Sequence, residues 1–319
     1  MTSTAGTGRA AGVDRTWLVA IAAALWGTDG LLRQPLAQDL PAGSVVFWEH
    51  LIVAAVLLPL LPSAVRALAR CGPREWIAVL VIGGGASAAA TALFTMAFQT
   101  GDAVTPLVLQ KMQPLFAMLA AVVLLGERLR PGYLLFAVPA LAGAWMLAFA
   151  DPFDVHVAAL HTALLALGAA ALWASGTVLG RFVSARLRPR DVTVLRFSVG
   201  LPVAALFVAG RDEPFAVGWE NAPGLLLLAL VPGLVALSLY YVGMVTTPAA
   251  RATLAELAFP ATAAVIGVTV LGETLSTTQW LGLAVLVCSV TTLGWHERSR
   301  KDEPVVLPTD PVRPERVSP

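Results

Sequence analysis

Charged side chains are scarce in this sequence. They make up 13% of its 319 residues, while hydrophobic residues make up 57%, against about 25% charged in ordinary soluble proteins. So few ions cannot cover a water-exposed surface, which excludes a soluble globular fold and leaves an integral membrane protein. The 21 basic and 20 acidic residues nearly cancel to a formal +1, so no basic face exists for nucleic acid. Cysteine is almost absent: Cys71 and Cys288 match no metal or redox spacing, which removes a disulfide framework or a zinc cluster. Of four histidines, His50 and His296 are isolated, and His156 and His161 are five apart, about 140° around a helix and poor for a shared metal. No Ser-His-Asp set, His-Glu-x-x-His or phosphate loop is found. Neither an enzyme nor a cofactor is expected.

What the sequence does have is long apolar runs, and one of them occurs twice. Ala103 to Leu129, AVTPLVLQKMQPLFAMLAAVVLLGERL, returns as Ala249 to Leu275, AARATLAELAFPATAAVIGVTVLGETL. Ala103, Pro114, Ala117, Leu125, Gly126, Glu127 and Leu129 recur 146 positions later without a gap. The chain is a duplication whose repeated unit is a membrane segment, interrupted by a proline and closed by Leu-Gly-Glu. At about 20 apolar residues per crossing, ten spans are expected: 16–36, 44–62, 76–99, 103–125, 132–150, 158–180, 191–209, 223–246, 249–271 and 278–295. The first is too long for a cleaved signal peptide. Short connections such as Thr100 to Asp102 make neighbouring spans antiparallel hairpins. Residues 1–15 form a short N-terminal segment, 16–150 and 158–295 form the two halves, and the charged, proline-rich tail 296–319 is expected to be disordered.

Arginine placement orients these spans, because Lys and Arg in short loops stay on the cytoplasmic side. With the N-terminus inside, alternate segments carry Arg9 and Arg15; Arg66, Arg70 and Arg74; Arg128 and Arg130; Arg181, Arg186, Arg188 and Arg190; then Arg298, Arg300, Lys301, Arg313 and Arg316, 16 of the 21 basic residues. The opposite side has only Arg33 and Arg211. Ala24-Leu25-Trp26 matches Ala171-Leu172-Trp173 at an offset of 147, and Glu49 falls opposite Arg196 at the same offset. Each half therefore has five spans. Five is odd, so the halves enter the membrane from opposite sides, and inverted repeats of this kind carry a site at mid-membrane between them. The expected fold is an all-α membrane protein of ten transmembrane helices in two inverted five-helix repeats.

Leu-Trp-Gly at 25–27, Leu-Trp-Ala-Ser-Gly at 172–176, and Pro114 and Pro260, each twelve residues before the glycine of a Leu-Gly-Glu, resemble the EamA branch of the drug/metabolite transporter superfamily. The resemblance covers roughly residues 16–295. It implies ten helices, the bacterial inner membrane and transport, often outward, of amino acids, sugars, nucleosides, vitamins or drugs. It names no substrate.

Ionisable groups inside a membrane are costly, and each is a candidate site. Here they are Asp29, Glu49, Lys111, Arg196, Arg251 and Glu256; the alternatives are interfacial placement or a fixed internal pair. At 1.5 Å per residue, Asp29 lies roughly 18 Å into span one, and Glu49 and Lys111 about 8 and 12 Å from the outer starts of spans two and four. These three form an outer group and Arg196 with Glu256 an inner one, paired across helices as alternating gates or divided between a coupling acid and anion-binding bases. An acid that carries a coupling proton needs an apolar cavity that disfavours its anion, and Asp29 is the best placed. Gln110, aligned with Glu256, joins Gln99 and Gln113 as substrate contacts or interhelical bonds. Trp26 and Trp173 line a cavity or pack a core. Pro106, Pro114 and Pro260 permit bends, and Gly83-Gly84-Gly85 permits close packing or flexing. Glu127 and Glu273 end their spans as structural or transport residues.

The expected function is a carrier, proton-coupled or facilitative, that exports a small polar metabolite across the plasma membrane, both termini cytoplasmic. The mixed charges lean toward a zwitterion such as an amino acid. The alternatives are a drug or other metabolite exporter of the same fold, a channel, or a scaffold that transports nothing.

Overall fold

Backbone amides in lipid have no water to bond to, so an apolar chain of this kind must satisfy them within helices. The computed structural model describes residues 15–100, 104–113, 134–148, 157–244, 258–272 and 274–298, with positions 115, 116, 119, 120, 123, 151 and 255. Helices are the only regular elements among them. In chain order they are α1 (Thr16–Gly27), α2 (Asp29–Asp39), α3 (Ala42–Leu57), α4 (Leu61–Leu68), α5 (Pro73–Leu80), α6 (Ala90–Thr100), α7 (Val104–Leu109), α8 (Leu134–Ala148), α9 (Val157–Val183), α10 (Pro189–Gly210), α11 (Ala222–Leu228), α12 (Ala236–Met244), α13 (Ala258–Thr269) and α14 (Thr277–Arg298). Among the described residues, five continuous helical stretches are long and apolar enough to cross a membrane: Ala42–Leu68, Pro73–Thr100, Leu160–Gly180, Pro189–Gly210 and Trp219–Tyr240.

Among the described residues, departures from uniform α-helix in spans one, three and eight shape the interior. Span one is broken between α1 and α2, where the Thr28 hydroxyl donates to Leu25 O at 2.7 Å and Asp29 begins the second helix. Spans three and eight each contain a wider, π-helical segment, Val81–Ala89 and Ala229–Val235. Their causes differ. The first contains Gly83-Gly84-Gly85, where the helix is weakly held and a neighbour comes close: a Cβ on Gly83 would lie 3.0 Å from Arg196 O. The second contains Pro232, which has no N–H to continue an α-helical ladder. These two segments sit at matching places in the two halves, and π segments of this type recur at functional sites.

The halves pack on each other reciprocally. α1 lies against α12 and α13, while its counterpart α9 lies against α6 and α7. α10 lies on the first π segment, while its counterpart α3 lies on the second. Counterparts also meet each other: α3 with α10, α7 with α13, and α8 with α14. Small residues allow these approaches, as membrane packing requires. Ala163, Ala166, Ala170 and Ala174 form a buried stripe on α9. Gly272, with φ +69, follows the end of α13, so the glycine of the second Leu-Gly-Glu is there because the chain takes a left-handed turn that other residues resist. Its counterpart Gly126, both glutamates of the motif, Pro114, residues 1–14 and the tail lie outside the described residues.

Gly143 shows how tight the counterpart contacts are, since a Cβ there would sit 2.7 Å from Leu286 N and 2.8 Å from Gly282 O. Gly143→Leu should force α8 and α14 apart and cost at least the 1–3 kcal/mol typical of overpacking. The check is a lowered melting temperature of the detergent-solubilised protein, with Gly180→Ala, which meets nothing within 4 Å, as the silent control.

Candidate substrate and coupling site

The break between α1 and α2 is what builds the site. It starts a helix at Asp29, so that Asp29 and Arg33, four residues apart, share one face. Arg33 Nε donates to Asp29 Oδ2 at 2.6 Å and Nη2 to Oδ1 at 2.9 Å. The third nitrogen, Nη1, reaches two other helices, donating to Glu49 Oε2 on α3 at 3.1 Å and to Thr95 Oγ1 on α6 at 2.8 Å. The Thr95 hydroxyl in turn donates a hydrogen bond to Thr91 O at 2.8 Å. The guanidinium carbon lies 5.6 Å from the centre of the Phe94 ring, close enough for a cation–π contact. Arg33 is 2% exposed, Asp29 8%, Glu49 7% and Thr95 0%. Three helices are thus tied by one buried cation, gripped twice by Asp29 and once by Glu49.

A second polar track starts one residue further along α3. His50 Nδ1 donates to Val46 O, so in the neutral ring Nε2 accepts, here from the Ser87 hydroxyl at 2.9 Å. Arg196 on α10 donates through Nε to the same Ser87 oxygen at 3.2 Å and through Nη2 to Ala86 O at 3.0 Å. Both acceptors belong to the first π segment. The other π segment does the matching service: Pro232 O accepts from Trp26 Nε1 at 3.0 Å, and a Cβ on Gly233 would stand 3.9 Å from Glu49 Oε1. Each π segment therefore presents backbone to a polar side chain of the opposite half.

Aromatic rings close the remaining side. Trp26 packs on Tyr240 and Trp173 on Phe94, both at 5.0 Å between ring centres. Both tryptophans are half-buried and border a single apolar cluster with Phe94, Phe98 and Phe259. The group as a whole offers a buried ion network beside a partly open aromatic wall, at the seam between the halves.

Residues 16–149 and 160–295 each match the EamA-like transporter family. The chain belongs to that family. Among curated EamA-like relatives, it is 30% identical over 286 residues to the riboflavin transporter ImpX of Fusobacterium nucleatum subsp. nucleatum, covering 86% of this chain and 95% of that protein. It is 28% identical over 289 residues to the uncharacterized transporter YwfM of Bacillus subtilis (strain 168), covering 89% and 94%. A crystal structure with 22% identity superposes at a TM-score of 0.58 over 89% of this chain and 98% of its own, a likeness of fold alone. The EamA-like chain is a multi-pass transporter embedded in the membrane.

Within this EamA-like framework, the expected site residues are distributed unevenly. Asp29 and Glu49 meet, but only through Arg33, which charge placement along the sequence assigns to the outer side. The structure buries it instead, because the helix restart turns it toward two acids. Asp-x-x-x-Arg spacing was the signal for this pairing. Arg196 reaches the first π segment. Trp26 and Trp173 border one cluster. Gln99 donates to Ala37 O and Leu40 O, and Gln113 to Thr177 Oγ1, the interhelical role. Gln110 is half-buried and starts a 3-10 turn, Gln110–Met112. The Lys111 side chain, Arg251 and Glu256 lie outside the described residues. Thr95, Ser87 and the carbonyls of Ala86 and Pro232 join the network with no sequence pattern to announce them.

Removing the shared cation isolates two buried carboxylates, and breaking such a pair costs about 3–5 kcal/mol. Arg33→Ala should therefore lower the thermal midpoint more than Arg33→Lys, which keeps the charge without the two-pronged grip. The triple change Arg33→Ala, Asp29→Asn, Glu49→Gln should recover part of the loss. A triple variant no more stable than Arg33→Ala would show that burial of unpaired charge is not the cause.

Proposed function

We propose that this EamA-like protein is a secondary transporter that moves a small polar metabolite by alternating access between two inverted halves of five spans each. The observation that carries this is the Arg33 network, where three helices of one half meet at a buried cation beside the seam with the other half. The reciprocal packing of the halves supports an in-plane pseudo-two-fold, which gives two end states of similar energy. Ten spans, with both termini cytoplasmic in a bacterial inner membrane, agree with the arginine distribution and with the bacterial sources of the relatives.

In this reading Arg33, Asp29, Glu49, Trp26, Trp173, Gln110, Lys111, Arg196 and Glu256 form the path, and Asp29 anchors Arg33. Glu49 is the exchangeable partner, because it holds the guanidinium by one bond where Asp29 uses two. Its release, on taking a proton or meeting a substrate group, loosens α3 from α2 and is the coupling step for export. The aromatic wall of Trp26, Phe94 and Trp173 favours a planar heteroaromatic solute of the flavin kind, in keeping with the name of the ImpX relative. A zwitterion such as an amino acid is the second reading, favoured by a guanidinium and carboxylates within one network.

Flux into and out of proteoliposomes, with riboflavin and a panel of amino acids and with imposed pH gradients, tests this. The expected result is saturable flux of one solute class that responds to the gradient, with the response lost in Glu49→Gln. Normal transport and an unchanged pH profile in both Asp29→Asn and Glu49→Gln would overturn the coupling assignment. Flux that never saturates would indicate a channel, and none for any solute a scaffold.

A further inference from the structure

The two hairpin turns that join α4 to α5 and α9 to α10 lie side by side at one end of the bundle and enclose a cavity of about 500 Å³. Its lining includes Arg66 at the end of α4 and Arg70 in the turn after it, Arg186 and Arg188 in the second turn, and Arg190 in the first turn of α10, with one acid, Asp191. The two sets are more than a hundred residues apart in sequence, so their convergence is a product of the fold. Only part of this charge is answered. Arg186 Nε is 3.2 Å from Glu75 Oε1, and Arg190 Nε is 3.7 Å from Asp191 Oδ1. Arg66 donates from Nε to Pro62 O; Arg66, Arg70 and Arg188 make no ion pair with a described acid. Asp191, 5% exposed, has its Oδ1 without a hydrogen-bond donor.

Three further features narrow the ligand. α10 begins at Pro189, beside the cavity, so the positive end of a 22-residue helix adds to the arginines. Hairpin turns between apolar spans lie at the membrane surface. Trp76 and Ile77, 42% and 61% exposed, follow Glu75 on α5 and offer lipid an apolar wall with an aromatic at headgroup depth. Guanidinium groups bind phosphate oxygens in pairs, and basic pockets between membrane helices hold acidic headgroups. We propose that this cavity binds a phosphate anion presented by the headgroup of an acidic membrane lipid, pinning the α4–α5 and α9–α10 turns of the two halves to one molecule. The Asp191 oxygen would then accept from a headgroup hydroxyl such as that of a glycerol.

The test uses the full chain purified in detergent, with native mass spectrometry and thermal shift against phosphatidylglycerol, phosphatidylcholine and inorganic phosphate. Retained phosphatidylglycerol adducts and a raised midpoint are expected, with little from phosphatidylcholine. At about fivefold per arginine near the surface, the double variant Arg66→Gln/Arg70→Gln should bind about 25-fold more weakly. Arg188→Gln should bind about fivefold more weakly, and Arg211→Gln, outside the cavity, should match the parent. Monodisperse gel filtration of each variant separates lost binding from misfolding. An undiminished phosphatidylglycerol effect in both cavity variants, or an equal effect of phosphatidylcholine, overturns the proposal. Arginine-dependent stabilisation by inorganic phosphate without any by phosphatidylglycerol overturns the lipid source.

Discussion

Arg33 cannot shed its charge, and on α2, packed against α3 and α6, it is only 2% exposed. A guanidinium at such depth persists only if its charge is answered and its donors are largely met, and four of its five N–H groups are taken by two carboxylates and a hydroxyl from three different helices. That requirement sets much else. It needs the chain to break at Thr28 so that Asp29 can stand one turn before Arg33. It also needs α3 to present Glu49 to α2, and Thr95 to turn inward from α6. A fixed pair of helices could be held by apolar packing alone at lower electrostatic cost. In the proposed coupling step, the singly bonded member of this network, Glu49, is the one that exchanges partners.

The π segments serve the same end by a different route. A regular α-helix keeps its carbonyls for itself, and a locally widened one frees some of them. Ala86 O and Pro232 O are used in this way, by Arg196 and Trp26, each from the opposite half. The symmetry is in position and service, while the sequences that produce it, a triple glycine and a proline-glycine, differ. Duplication fixed where the helix must open. It left each copy to find its own means.

Much of this protein could be read from residue order, and the failures are instructive. The repeated Pro to Leu-Gly-Glu pattern and the matched tryptophans, on a chain with little charge, point to the EamA-like family. The importance of Asp29 and Glu49 followed from the cost of ionised groups among apolar neighbours. Arg33 was not counted among the internal charges because it lies near the end of an apolar run, where a charge count along the chain assigns it to the outer side. The count follows one helix at a time, and the partner that keeps Arg33 buried, Glu49, is on another. Ser87, Thr95 and two backbone carbonyls escaped for the same reason, since nothing in a serine or a carbonyl shows which helix will face it.

Sequence alone determined that the chain is helical, membrane-embedded and duplicated, because hydropathy, period and repeat are properties of residues taken in order. It also showed which ionisable side chains fall within apolar runs, where their charge is costly. Tertiary structure decided which of those charges meet, where helices break or widen, and that two arginine-bearing turns enclose one cavity. Those outcomes depend on distances between segments far apart in the chain. A buried charge or a freed carbonyl is stable only against the particular neighbour that packing brings to it.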